Sequence, residues 1–89
     1  MEFSEEVISE VCTRLRRVAG QVQGVERMLE EGRECREVIT QLSAAIKALE
    51  QAGFRLVANG LTYCLEKPDE AKADGYSIED VQKMFMKLA

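Results

Sequence analysis

The residues best suited to chemistry are three cysteines and a set of arginines, in a chain of 89 residues that holds no histidine. Cys35 and Cys64 lie 29 positions apart. The stretch that joins them, Glu34 to Glu66, reads as one helix with no proline before Pro68. At a rise of about 1.5 Å per residue the two thiols stand ~43 Å apart, too far to react together or share a metal within one chain. Across an antiparallel partner helix they can meet. Two thiolates there would bind a soft ion such as Cu(I), or form a disulfide or polysulfide bridge. Arg33 and Arg36 flank Cys35 and favour its thiolate. The plainer account, two cysteines packed on apolar faces, stays open. Cys12, beside Val11 and Leu15, reads as a packing residue. A tetrahedral zinc site needs more ligands than these, and no imidazole is present to act as ligand or acid–base group.

The arginines suggest a second kind of chemistry. Arg14, Arg17 and Gln21 share one side of a first helix, at i, i+3 and i+7. Arg16 and Arg27 add to that helix, and Lys47 and Arg55 to the next. Arginine offers a forked, permanently charged donor set to phosphate. A solvated helix face is the plain alternative. The overall charge of −4 does not announce a nucleic-acid binder, and no helix-turn-helix, zinc-finger or ribbon pattern is present. An enzyme is hard to support: there is no Gly-rich phosphate loop and no Ser-His or Cys-His pair. A helical adaptor without DNA binding remains the bland reading.

These residues need helices to position them. Ser4 caps a first helix, with Glu5 and Glu6 at its positive end. Val7, Val11, Leu15, Val18, Val22, Val25 and Leu29 then recur in steps of four and three, and Glu30, Glu31 and Gly32 end the run. The second helix repeats at Val38, Leu42, Ala45, Leu49, Ala52 and Leu56, so the two form an antiparallel hairpin. Gly53 and Gly60 weaken that helix unless they admit a close neighbour. Pro68 closes it, and 68–75 reads as a polar connector. Ser77 with Asp80 caps a short third helix carrying Ile78, Val81, Met84, Phe85 and Leu88. The expectation is one all-α domain over 1–89: two long antiparallel helices plus a short C-terminal one. Its apolar faces are too broad for so short a chain, which predicts oligomerisation. The acidic, polar start and the lack of a ~20-residue apolar run argue against a signal peptide or membrane span. The expected place is the cytoplasm, with reduced thiols.

Arg14 to Ala44, RLRRVAGQVQGVERMLEEGRECREVITQLSA, resembles the CsoR/RcnR family of bacterial repressors. The RLRR run, Gly20-Gln21, Gly24, Arg27-Met28, Cys35, Gln41 and Ala44 carry the resemblance, which extends over nearly the whole chain. It implies an antiparallel dimer, a tetramer of dimers, and operator DNA bound without a classical motif. Arg14, Arg17, Gln21 and Lys47 are the expected DNA-binding residues. Cys35 and Cys64 are the expected inducer-sensing pair, formed between subunits. Copper-sensing members add a histidine where this chain has Gly60. Nickel/cobalt sensors need several histidines, and formaldehyde sensors pair their cysteine with a proline where this chain has Glu2. The similarity is greatest to the CstR-like persulfide-sensing branch, which keeps both cysteines without the histidine. The resemblance thus implies a repressor answering to reactive sulfur species, with no cofactor; Cu(I) held by the two thiolates is the alternative. A basic residue that some members carry late in the second helix corresponds to Gln51, so that role does not transfer.

Overall fold

The computed structural model describes all residues, Met1–Ala89. Four helices follow one another: α1 (Glu5–Glu30), α2 (Cys35–Glu66), α3 (Pro68–Ala73) and α4 (Ile78–Leu88). At the start of α1 the Ser4 hydroxyl accepts a hydrogen bond from the Val7 N–H at 3.3 Å. At its end Gly32 takes φ +70, and the Arg33 N–H reaches back to the Met28 carbonyl at 2.9 Å. That left-handed residue reverses the chain, since a Cβ there would be strained. Helix α2 begins at Cys35, one residue later than its sequence reading, because the Glu34 side chain caps it by accepting from the Arg36 N–H at 2.8 Å.

α1 and α2 pack antiparallel. Glu10 sits beside Arg55, Val7 and Val11 pack against Ala52, and Gly24 faces Gln41. Val11, Val18 and Val25 on α1 and Val38, Ala45 and Ala52 on α2 are buried, each row at seven-residue spacing. Small side chains on both rows let the helices lie close. The other expected core positions do not follow them inside. Leu15, Val22, Leu29, Leu42 and Leu49 are exposed, Leu29 by 64%. One partner helix covers one row of a stripe, and these residues form the next row over.

The connector expected at 68–75 contains a helix, so the chain has four helices rather than three. Pro68 does not simply end α2. It disfavours helical geometry at Lys67, which breaks the chain direction at φ −132, ψ 62. It then occupies the first turn of α3, where its missing N–H costs nothing. Asp69 and Glu70 favour the same helix start. α4 is capped as expected: Ser77 and Asp80 exchange backbone hydrogen bonds in a capping box. It runs antiparallel to α2 across its two glycines. A Cβ at Gly53 would lie 3.1 Å from both Leu88 methyls, and one at Gly60 would lie 3.7 Å from Val81. Phe54 and Phe85 add a ring contact, centroids 5.4 Å apart. α2 is therefore the spine of a body 55 × 24 × 14 Å. No helix is long and apolar enough to cross a membrane.

Candidate thiol sensor and basic surface

Cys35 and Cys64 occupy opposite ends of α2 and opposite environments. Cys35 is the first residue of the helix and is exposed. It stands at the positive end of the helix dipole. The expected help from Arg33 is diverted, however. The Arg33 Nε donates to Glu37 Oε2 at 3.0 Å, and its Nη1 lies 3.6 Å from Glu31 Oε2. Hydrogen bonding to Glu37 holds that guanidinium firmly protonated and partnered. Arginine and glutamate four residues apart on helical spacing pair with each other in preference to the thiol between them.

Cys64 is buried, with 5% of its surface exposed. It packs with Ala71 of α3 and Val81 of α4, edged by Val57, Tyr63 and Tyr76. A polar clasp fastens this cover. The Tyr63 hydroxyl donates to Asp74 Oδ2 at 2.7 Å, and the Met1 ammonium lies 3.5 Å from the same oxygen. That hydrogen bond pushes the Tyr63 hydroxyl up to about 12 and, with the ammonium charge, lowers the Asp74 carboxyl. All three cysteines are free thiols, and Cys12 is half-buried on α1.

Within one chain these groups do not build a metal centre. No three of its Cys, Asp or Glu residues gather as ligands. Gly60, one turn before Cys64, is buried and offers no side-chain donor. The Met1 methyl is among the nearest side-chain atoms to that position, 3.7 Å from where a Cβ would stand.

The basic residues fall into two settings. Arg17 and Lys47 are exposed, and Arg14 is half-exposed. The register that places Glu10 beside Arg55 and Gly24 beside Gln41 sets Lys47 level with Arg17 and Val18. Gln21 is different. Its carbonyl oxygen is buried and has no hydrogen-bond partner. Its carbonyl side is therefore turned into the molecule, away from anything outside. An ion pair that sequence reasoning missed joins the two helices: Arg55 Nε donates to Glu10 Oε2 at 2.8 Å, and Arg14 lies 3.7 Å from Glu10 Oε1. The Arg14 pairing is visible in the sequence as an i, i+4 spacing. The Arg55 pairing spans 45 residues and depends on helix register. The Tyr63–Asp74 clasp is hidden for the same reason, because it needs α3 to exist.

The family model for a metal-sensitive transcriptional repressor matches residues 8–87. Among curated proteins, the copper-sensing transcriptional repressor RicR of Mycobacterium tuberculosis is 44% identical over 54 residues, 61% of this chain and 56% of RicR. The chain thus spans little more than half the length of that relative. The copper-sensing transcriptional repressor CsoR of Bacillus subtilis is 26% identical over 79 residues, 89% of this chain and 78% of CsoR. YrkD of the same organism is 38% identical over 47 residues, 53% of this chain and 75% of YrkD. No solved structure matches. With a family match running from the first turn of α1 to the end of α4, the chain belongs to the metal-sensitive transcriptional repressors, regulators rather than enzymes.

Proposed function

We propose that this chain is an oligomeric repressor that binds operator DNA and releases it when an inducer joins Cys35 of one subunit to Cys64 of its partner. The observation that carries this reading is the placement of the two thiols at opposite ends of one 32-residue helix. An antiparallel dimer would bring each end to the other's. The exposed apolar rows on α1 and α2 supply a surface for that dimer and for a tetramer of dimers. Arg14 and Arg17 on α1, with Lys47 on α2, are the proposed phosphate contacts. Gln21 is the fourth proposed DNA contact, through its amide nitrogen, since its carbonyl oxygen faces inward. Such a role places the protein in the cytoplasm.

For the inducer we propose a low-molecular-weight persulfide. The Cys35 thiolate attacks the outer sulfur of R–S–SH, giving Cys35–S–SH and the thiolate RS⁻. The Cys64 thiolate of the partner then attacks the Cys35 sulfur, closing a disulfide and expelling HS⁻. What supports sulfur is that Gly60 and the absence of histidine leave no imidazole beside the two thiolates. The relatives lean the other way: RicR and CsoR are named copper sensors and give the persulfide branch no support. Cu(I) held by two thiolates is therefore the second reading. In either case the bridge would favour a subunit arrangement with lower DNA affinity.

The test treats reduced protein separately with glutathione persulfide and with Cu(I), and follows mass, oligomeric state and binding to promoter DNA. The sulfur reading expects Cys35–Cys64 links between chains, loss of DNA binding, and no link in Cys35→Ser. It fails if linked peptides contain Cys12 instead. Release by stoichiometric Cu(I) without release by persulfide selects the copper reading. A monomer in light scattering at micromolar concentration rejects both.

A further inference from the structure

Glu10 holds arginines from two different helices. Its Oε2 accepts from Arg55 Nε at 2.8 Å, and its Oε1 lies 3.7 Å from Arg14 Nη2. Arg14 is one turn along α1, but Arg55 arrives from α2. The three side chains keep between 38% and 42% of their surface in solvent. Exposed ion pairs contribute little to folding, so fold support is a poor account of this cluster. Its geometry is more informative. Each oxygen of one anion meets a separate guanidinium, the pattern that a phosphate presents with its non-bridging oxygens. Arg17 lies one turn beyond Arg14 on the same side of α1.

Resting on the repressor reading, we propose that Arg55 joins Arg14 in one phosphate clamp on operator DNA, and that Glu10 is the internal anion occupying that clamp when DNA is absent. Glu10 then has two opposed effects. It aligns the guanidiniums before DNA arrives, and it competes with the phosphate once DNA is there. Because the ion pairs are exposed and weak, a backbone phosphate can displace the carboxylate. The negative charge left beside the phosphate lowers affinity.

The experiment uses the full chain and a DNA duplex enriched by the wild-type protein from a random-sequence pool, with affinity followed over a salt series. Releasing one phosphate makes the slope of log affinity against log salt shallower by about one unit. Arg55→Gln is expected to make the slope shallower to the same extent as Arg14→Gln, and the double variant, which frees the one shared phosphate, by about one unit in all. Glu10→Gln is expected to tighten binding several-fold. Glu79→Gln is the control: it makes the same change in net charge, on α4, at a residue paired 3.9 Å from Lys83, and should leave affinity near wild type. Thermal unfolding of each variant separates a folding defect from a binding one. An unchanged slope in Arg55→Gln overturns the clamp, as does a Glu10→Gln protein that binds no tighter than the Glu79→Gln control. Should the wild-type chain enrich no duplex, the repressor reading falls and the clamp with it. A duplex that is bound equally with or without Arg55 removes the clamp alone.

Discussion

Cys64 can react only when its cover lifts, and the structure says what holds the cover down. Val81 is 4% exposed and packs against Cys64 and Ala71. Val81→Ala removes two buried carbons from this packing, at a cost of ~1.6 kcal/mol at ~0.8 kcal/mol for each, before any cavity effect. If that energy holds α4 onto α2, the open population rises about 15-fold, since ~1.4 kcal/mol corresponds to tenfold. Alkylation tracks the open population when reclosing is fast relative to reaction. The Cys64 rate should therefore rise about 15-fold in Val81→Ala. Cys35, exposed at the far end of α2, and Cys12 on α1 should keep their rates and serve as internal references. The assay is a timed iodoacetamide pulse on reduced protein, followed by peptide mass spectrometry at one fixed protein concentration. A wild-type Cys64 that reacts as fast as Cys35 would refute the shielding. So would a Val81→Ala protein that loses stability while its Cys64 rate stays put, because the thiol would then be reached by another route. On the proposed function the consequence would be an order of events: Cys35 would meet the inducer first, and Cys64 would close the bridge at a rate set by its cover.

Two further predictions concern the α2–α3–α4 corner. Gly60→Ala should stabilise the chain by about 1 kcal/mol, since alanine is the better helix former and its Cβ would meet Met1 and Val81 at an ordinary 3.7 Å. Gly53→Ala should gain less, because Leu88 lies 3.1 Å away and must yield; urea midpoints compare the two. The Tyr63–Asp74 clasp should fail at both pH extremes. Asp74 is lowered from its ordinary 3.8, so its contribution is present above that value and lost as pH falls through the lowered one. Tyr63 is raised from 10.0 to about 12, so its contribution is present below 10.0 and lost as pH rises toward about 12. In a Tyr76→Phe background, ultraviolet titration should show the Tyr63 transition returning toward its ordinary value when Asp74→Asn is added.

What is legible in the residue order is whatever depends on near neighbours. Ser4, Gly32 and the Ser77–Asp80 pair act within a few positions, and each caps or ends its helix as expected. The motif from Arg14 to Ala44 leads to the family that the match over residues 8–87 supports. α3 escapes such a reading because 68–75 is polar and begins with proline; the proline looks like a stop but serves as a start. The setting of each candidate site residue is less legible. Cys35 and Cys64 look alike on the line, and their difference arises from α3 and α4 folding over one end of α2. Arg14 and Arg55 look unrelated until the register of two antiparallel helices brings both to Glu10.

The heptads explain why half of an apolar pattern can be correct and still lie outside. On α1, Val11, Val18 and Val25 form one row and Leu15, Val22 and Leu29 the next, four positions further along the helix. The first row meets α2 and is buried; the second is in water. α2 repeats the division, with Val38, Ala45 and Ala52 inside and Leu42, Ile46 and Leu49 outside. The inner rows hold only valine and alanine, whereas leucine and isoleucine dominate the outer ones. The bulkier apolar surface is thus offered outward, the reverse of a chain built to be complete alone. Valine is a middling helix former, so α1 depends on packing along its length. A single covered row gives it packing on one side only. The proposed dimer would cover the second row, and the same interface would carry Cys35 of one subunit toward Cys64 of the other. On this reasoning folding, assembly and sensing use the same helix faces, and an inducer that bridges the thiols acts on the surface that stabilises the subunit.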